Sequence, residues 1–286
     1  MSFSTDVKEE LSKLSNLADK ACVKAEMYGY LCSNNVSEDK SCIRFSTESE
    51  YNINRFSKLL NNLNIIKYDI NIVGKNYNIV ISKEGSIILI ELYKEYELED
   101  KENIKKAFIR GVFLGSGTIN NPKNKYHLEI IFRKMEFAQT SIEILKEFGI
   151  ALKILNTSER YSLYTKDGEE ISKFLAFIGA SSSVLKFEEI RVYRDMRNNI
   201  NRIVNCETAN LSKTVNAAVK QIEAINKLKE NGKFAKLPDT LKELAELRVE
   251  NPESSLTELG KMLKSPIGKS GVNHRLQAIL KIAEEE

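Results

Sequence analysis

Phe108 to Ile119 reads FIRGVFLGSGTI, and with Ala107 before it this stretch carries small residues at Ala107, Gly111 and Gly115, four apart. Small side chains at that interval fall on one stripe of a helix and let a second helix approach with its backbone unusually close. The partner is found in the same chain. Ala25, Gly29 and Ser33 repeat the arrangement 82 residues earlier, in the segment Lys20 to Ser33. The simplest reading is that the two segments pack against each other.

The sequences downstream of the two stripes are also alike. After the first, hydrophobic periodicity predicts a strand around Ser41 to Thr47, a helix from Asn52 to Leu63, strands near Ile65 to Val73 and Tyr77 to Ser82, and a helix from Ser86 to Tyr96. After the second it predicts a strand over Tyr126 to Arg133, a helix over Glu136 to Phe148, strands near Leu152 to Asn156 and Tyr161 to Thr165, and a helix from Glu169 to Ile178. The two halves repeat one element order, so an internal duplication and a pseudo-twofold domain of α-β-β-α-β-β-α halves are expected, with the small-residue helices at its axis. A short amphipathic helix, Asp6 to Leu17, precedes them.

The C-terminal stretch Ser255 to Ala283, SLTELGKMLKSPIGKSGVNHRLQAILKIA, has a different logic. Ser255 and Glu258 form a capping box at the start of one helix, with Leu256, Leu259 and Leu263 on one face and Gly260 leaving room for a neighbour. Ser265, Pro266 and Gly268 break it. Val272, Leu276, Ile279, Leu280 and Ala283 then set the buried stripe of a second helix, capped weakly by Gly268 or beginning at Ser270. The opposite face carries Ser270, Asn273, His274, Gln277 and Lys281, side chains suited to base edges and phosphates. From Leu259 to Ala283 the charges are Lys261, Lys264, Lys269, Arg275 and Lys281, with no acid among them. This is the pattern of a helix-turn-helix that reads duplex DNA.

Composition narrows the rest. The 286 residues carry a net charge of only +3, so affinity for nucleic acid must come from a local patch. Cys22, Cys32, Cys42 and Cys206 fit neither a zinc site nor a disulfide framework and are expected as free thiols. The polar N-terminus and the lack of any long apolar run lead to the expectation of a cytoplasmic, nucleoid-associated protein with no membrane contact. No cofactor or metal is expected.

The segment FIRGVFLGSGTI and the duplicated element order resemble the LAGLIDADG homing endonucleases. RGVFLGSGTINNPKNKYHLEI, MRNNINRIVNCETANLSKTVNAAVKQIE, SLTELGKM and KSGVNHRL together resemble the WhiA family of sporulation transcription regulators, over nearly the whole chain and most weakly before Asp100. That resemblance implies a degenerate LAGLIDADG-like domain joined to a C-terminal helix-turn-helix, an α+β fold followed by an all-α domain. In active LAGLIDADG enzymes the last acid of each motif helix holds a divalent metal. Alignment on Gly29 and Gly111 puts Asn34 and Ser116 at those positions, with Cys32 and Leu114 at the other motif acid, and none of these supplies the carboxylate a hard cation needs. Glu38 and Asp39 come after the first helix and are expected in a loop. The expectation is a protein that is not an enzyme. The strand residues Arg44, Lys67, Lys75, Arg133, Lys153 and Arg160 could line a DNA saddle, but Glu48, Glu50, Asp69, Glu129 and Glu159 intersperse them.

The implied domains are an N-terminal helix over residues 1–18, the LAGLIDADG-like domain over 19–182, a basic bridge and long linker helix over 183–235, and the DNA-binding domain over 236–286. In the bridge, Arg191, Arg194 and Arg197 are three apart and either contact DNA or pair with Glu188 or Glu189. Ala209 to Lys229 is expected as a long amphipathic helix, Glu230 to Lys236 as a hinge, and Pro238 as the start of the terminal domain. The function expected is sequence-specific binding to promoters by a monomer, regulating cell-division or sporulation-related genes, with a transcription factor or sigma factor as candidate partner of the N-terminal domain. The alternative is an interaction protein in cell division or chromosome segregation for which DNA is an anchor.

Overall fold

The computed structural model describes residues 2–39, 42–157 and 160–285. Ser41, at the start of an expected strand, and Glu159, among the acids of the expected saddle, lie outside them. The chain divides into two compact units, Met1–Asp195 and Met196–Glu286.

The first unit opens with α1 (Phe3–Ser12), capped by the Ser2 side chain, which accepts from the Thr5 amide. The helix starts and stops earlier than the expected Asp6 to Leu17. Ser2 supplies the cap, and the Ser12 hydroxyl donates to the Glu9 carbonyl at the far end, competing with helix continuation. The first half then runs α2 (Lys20–Cys32), β1 (Val36–Asp39), β2 (Cys42–Thr47), α3 (Glu50–Asn62), β3 (Tyr68–Val73), β4 (Asn76–Ile81) and α4 (Lys83–Glu95). The second runs α5 (Glu102–Ser116), β5 (Gly117–Ile119), β6 (Leu128–Phe132), α6 (Met135–Glu147), β7 (Lys153–Thr157), β8 (Arg160–Thr165) and α7 (Gly168–Ile178). The two four-stranded antiparallel sheets have matching orders, β1-β2-β4-β3 and β5-β6-β8-β7. The order α-β-β-α-β-β-α therefore occurs twice. β1 and β5 are the strands that periodicity does not assign, and Glu38 and Asp39 stand in β1 instead of a loop.

At the axis α2 and α5 pack through their small residues. A Cβ on Gly111 would strike the Glu26 carbonyl oxygen, one on Gly29 the Phe108 carbonyl oxygen, and one on Gly115 the Ser33 hydroxyl. Ala25 and Ala107 are fully buried beside them. Close approach of this kind leaves no room for charged side chains on the seam unless they find partners, and they do. The buried Glu26 carboxylate accepts from Arg55 Nε at 2.7 Å and from Arg110 Nη1 at 3.1 Å. Arg55 also donates to the Leu14 carbonyl at 2.7 Å, and Arg110 to the Ile178 carbonyl at 2.8 Å. Three helices are thereby tied to one carboxylate.

A single helix, α8 (Ser181–Glu230), comes next, in place of a separate bridge and a later helix from Ala209. Its first turn is capped from α1: the Glu10 carboxylate accepts from the Ser182 and Ser183 amides at 2.7 and 2.9 Å. Residues 195–217 are all exposed, so this stretch persists on its own backbone hydrogen bonds.

The second unit closes with a left-handed turn at Gly232 (φ 71°) and the helices α9 (Asp239–Glu250), α10 (Leu256–Met262) and α11 (Lys269–Glu284). Pro238 is the N-cap of α9. Leu244, Ala245, Leu259, Leu263, Val272, Leu276 and Ile279 form its core with Ile225 and Leu228 of α8.

Candidate nucleic-acid interface

The interface is built from two helices and the turn between them. Ser255 caps α10 as its sequence requires: its hydroxyl accepts from the Glu258 amide at 3.3 Å, and its own amide donates to the Glu258 carboxylate at 2.8 Å. Donation from the Ser255 amide and hydrogen bonding to its hydroxyl hold the Glu258 carboxyl below its usual range. Gly260 serves the turn directly. A Cβ there would meet the Ile267 carbonyl oxygen and, at 3.1 Å, Val272 of α11. The Gly260 carbonyl in turn accepts from the Ile267 amide at 3.1 Å. The angle between the helices is thus set by one missing side chain.

α11 begins at Lys269 with Gly268 as an extended N-cap, not at Ser270. Val272, Leu276, Ile279 and Ala283 are buried and Leu280 is half-buried, which turns Ser270, Asn273, His274, Gln277 and Lys281 outward along the opposite face; all five are exposed. Lys261, Lys264 and Lys269 are exposed as well, and Arg275 is half-buried. None of these five cations, Lys281 included, enters a salt bridge among the described residues. Lys264 contributes its backbone to the fold, donating its amide to Glu243 at 2.6 Å and leaving the ammonium free. A residue that sequence reading does not single out is Arg248, which is 2% exposed and donates to the Ser254 carbonyl at 2.8 Å. It fixes the loop leading into α10, and only its place within the apolar face of α9 could mark it.

The arginines of α8 divide. Arg191 pairs with Glu188 at 2.9 Å, and Arg194 donates to the Pro122 carbonyl at 2.6 Å while lying 4.4 Å over the Tyr126 ring. Arg197 is exposed.

Asn34 and Ser116 sit where α2 and α5 end. The Ser116 hydroxyl donates to the Ile131 carbonyl at 2.6 Å, and the Asn34 carbonyl accepts from Arg133 at 3.1 Å. Among the described residues no group of three or more histidines, cysteines or acids is placed to hold a metal ion. The four cysteines are free thiols. His127 lies just before β6, its Nε2 3.6 Å from Glu129. Lys67, just before β3, pairs with Glu84 of α4 at 3.1 Å, and Arg44 of β2 stands opposite the uncharged Ser37 and Val80. No helix among the described residues is long and apolar enough to cross a membrane.

The family model of the WhiA C-terminal HTH domain matches residues 200–283, and that of the WhiA LAGLIDADG-like domain matches residues 105–197. A "Probable cell division protein WhiA" of Clostridium tetani is 40% identical over 311 residues, which cover 100% of this chain and 98% of that protein. One of the same name from Clostridium perfringens is 48% identical over 206 residues, 72% of this chain and 65% of the relative. The crystal structure of full-length DUF199/WhiA from Thermatoga maritima superposes with a TM-score of 0.63 at 30% identity, covering 99% of this chain and 98% of that one.

Proposed function

This chain belongs to the WhiA family, and from that premise we propose that it is a sequence-specific DNA-binding transcription regulator of cell-division and sporulation-related genes. The observation that carries the reading is the outer face of α11, where Ser270, Asn273, His274 and Gln277 are exposed while the cations around them enter no salt bridge among the described residues. Asn273 and Arg275 have the donor sets that base edges accept, and Lys261, Lys264, Lys269 and Lys281 supply phosphate contacts that set affinity without sequence preference. A further phosphate contact falls to Arg197 before Arg191 and Arg194, whose guanidinium groups already have protein partners. The N-terminal unit acts without cleaving DNA, since Asn34 and Ser116 bring no carboxylate to the ends of α2 and α5.

Chromatin immunoprecipitation with sequencing tests the reading on wild type and an Asn273→Ala, Arg275→Ala double variant. Discrete promoter peaks that vanish in the variant are expected. Peaks that survive it would move sequence recognition to another part of the molecule.

A further inference from the structure

Beside the ends of the two axial helices, within the first unit, lies a cavity of about 500 Å³. Ser4 and Lys8 of α1 line it together with Asn35, Ser46, Asn76 and Thr118. Asn35 comes directly after Asn34 and Thr118 two residues after Ser116, so the cavity adjoins the ends of α2 and α5. A space this large holds a small organic molecule and not merely water. Its wall is hydroxyl and amide, with a single carboxylate, the exposed Glu48, and no aromatic ring on which a base could stack.

Lys8 is the anomaly. It is held firmly: Val7 beside it and Leu11 one turn on are fully buried, Ser4 one turn earlier accepts from the Ile119 amide at 3.3 Å, and Glu10 caps α8. Yet its ammonium makes no hydrogen bond and no salt bridge among the described residues; the Phe113 ring lies 5.9 Å away. Arg55 and Arg110, the buried arginines of the same unit, both share the Glu26 carboxylate. Burial pushes the Lys8 ammonium down to about 8 against the opposing pull of Glu48, which leaves it charged at neutral pH. A half-buried cation that lines a polar cavity and completes no internal ion pair is available to a ligand.

We propose that this cavity binds a phosphate oxyanion through Lys8, carried either by a small polyhydroxylated phosphate ester or by the DNA backbone. The ammonium meets the phosphate, and Asn35, Ser46, Asn76 and Thr118 offer the donors and acceptors that hydroxyl groups of the remainder require. Every residue involved lies in the first unit, so the proposal stands independently of base reading by α11.

The test uses the full-length protein, titrated calorimetrically with ribose 5-phosphate and with ribose, and by anisotropy with duplex DNA at several salt concentrations. Lys8→Met keeps the length of the side chain and removes the charge that burial opposes, so its fold should persist; Lys8→Arg restores the cation. If a free ester is the source, ribose 5-phosphate binds saturably, ribose does not, Lys8→Met weakens binding about tenfold or more, and Lys8→Arg recovers part of it. If the DNA backbone is the source, neither sugar binds, and Lys8→Met lowers duplex affinity while reducing the salt slope by about one. Wild type and Lys8→Met behaving alike towards both probes would overturn the proposal.

Discussion

The two units treat charge in opposite ways. In the first, Glu26, Arg55 and Arg110 are buried on a seam of glycines and alanines and satisfy one another. In the second, Lys261, Lys264, Lys269, Arg275 and Lys281 surround a small apolar core and enter no salt bridge among the described residues. A buried ion must be paired because desolvation alone costs several kcal/mol for each ion. An exposed one is nearly neutral to stability and remains available to a polyanion. The difference separates charge that builds the scaffold from charge left without an internal partner.

Removing one partner of the buried set should give the largest effect. Glu26→Gln leaves two guanidinium groups facing an amide and is expected to cost about 3–5 kcal/mol, read as a lower urea midpoint for the first unit. An unchanged midpoint would mean that the network is not structural. Gly111→Ala comes next, at about 2–3 kcal/mol, because the new methyl meets backbone oxygen that cannot rotate away. Retained stability there would show that the axial helices can separate without loss.

Lys8 offers a sharper test, since it is a cation of the first unit that obeys the rule of the second. Its folded pKa, about 8, lies below its unfolded 10.5, so the penalty for burying the charge is present in full below pH 8 and is relieved as pH rises to 10.5. Wild-type stability should therefore rise across that window, by up to about 3 kcal/mol, and Lys8→Met should be more stable at pH 7 and lack the rise. A flat wild-type profile in denaturation across pH 8 to 10.5 would place Lys8 in solvent. The smallest effect belongs to the second unit: Ser255→Ala removes the cap of α10 and should cost about 1 kcal/mol, seen as faster amide exchange in α10. Equal exchange would show that packing alone holds the helix.

Legibility in the sequence divides along the line between local and distant contacts. The stripes Ala25-Gly29-Ser33 and Ala107-Gly111-Gly115 mark the axial helices, and the Ser255–Glu258 box and the break at Pro266 mark α10 and α11, because each rests on local spacing. β1, Val36–Asp39, is not visible: four residues ending in two acids carry no alternation, and pairing with β2 is what makes them a strand. β5 is three residues long and owes its existence to β6. The continuity of α8 is hidden by asparagines such as Asn198, Asn201 and Asn205, poor helix formers in an exposed stretch. Glu26 and Arg110 are in plain view on small-residue helices, but only the fold brings Arg55 to them. The face of α11 is legible residue by residue; the partners of Arg194 are not, since Pro122 and Tyr126 are distant in sequence.

The most direct test of sequence reading by α11 is equilibrium binding of the purified full-length protein to a duplex taken from a promoter peak and to a scrambled duplex at one salt concentration. Asn273→Ala, Arg275→Ala is expected to lower the ratio of the two affinities by roughly tenfold or more, while Lys264→Ala weakens both alike. If the double variant lowers both affinities in equal proportion, α11 does not read sequence and the central claim fails.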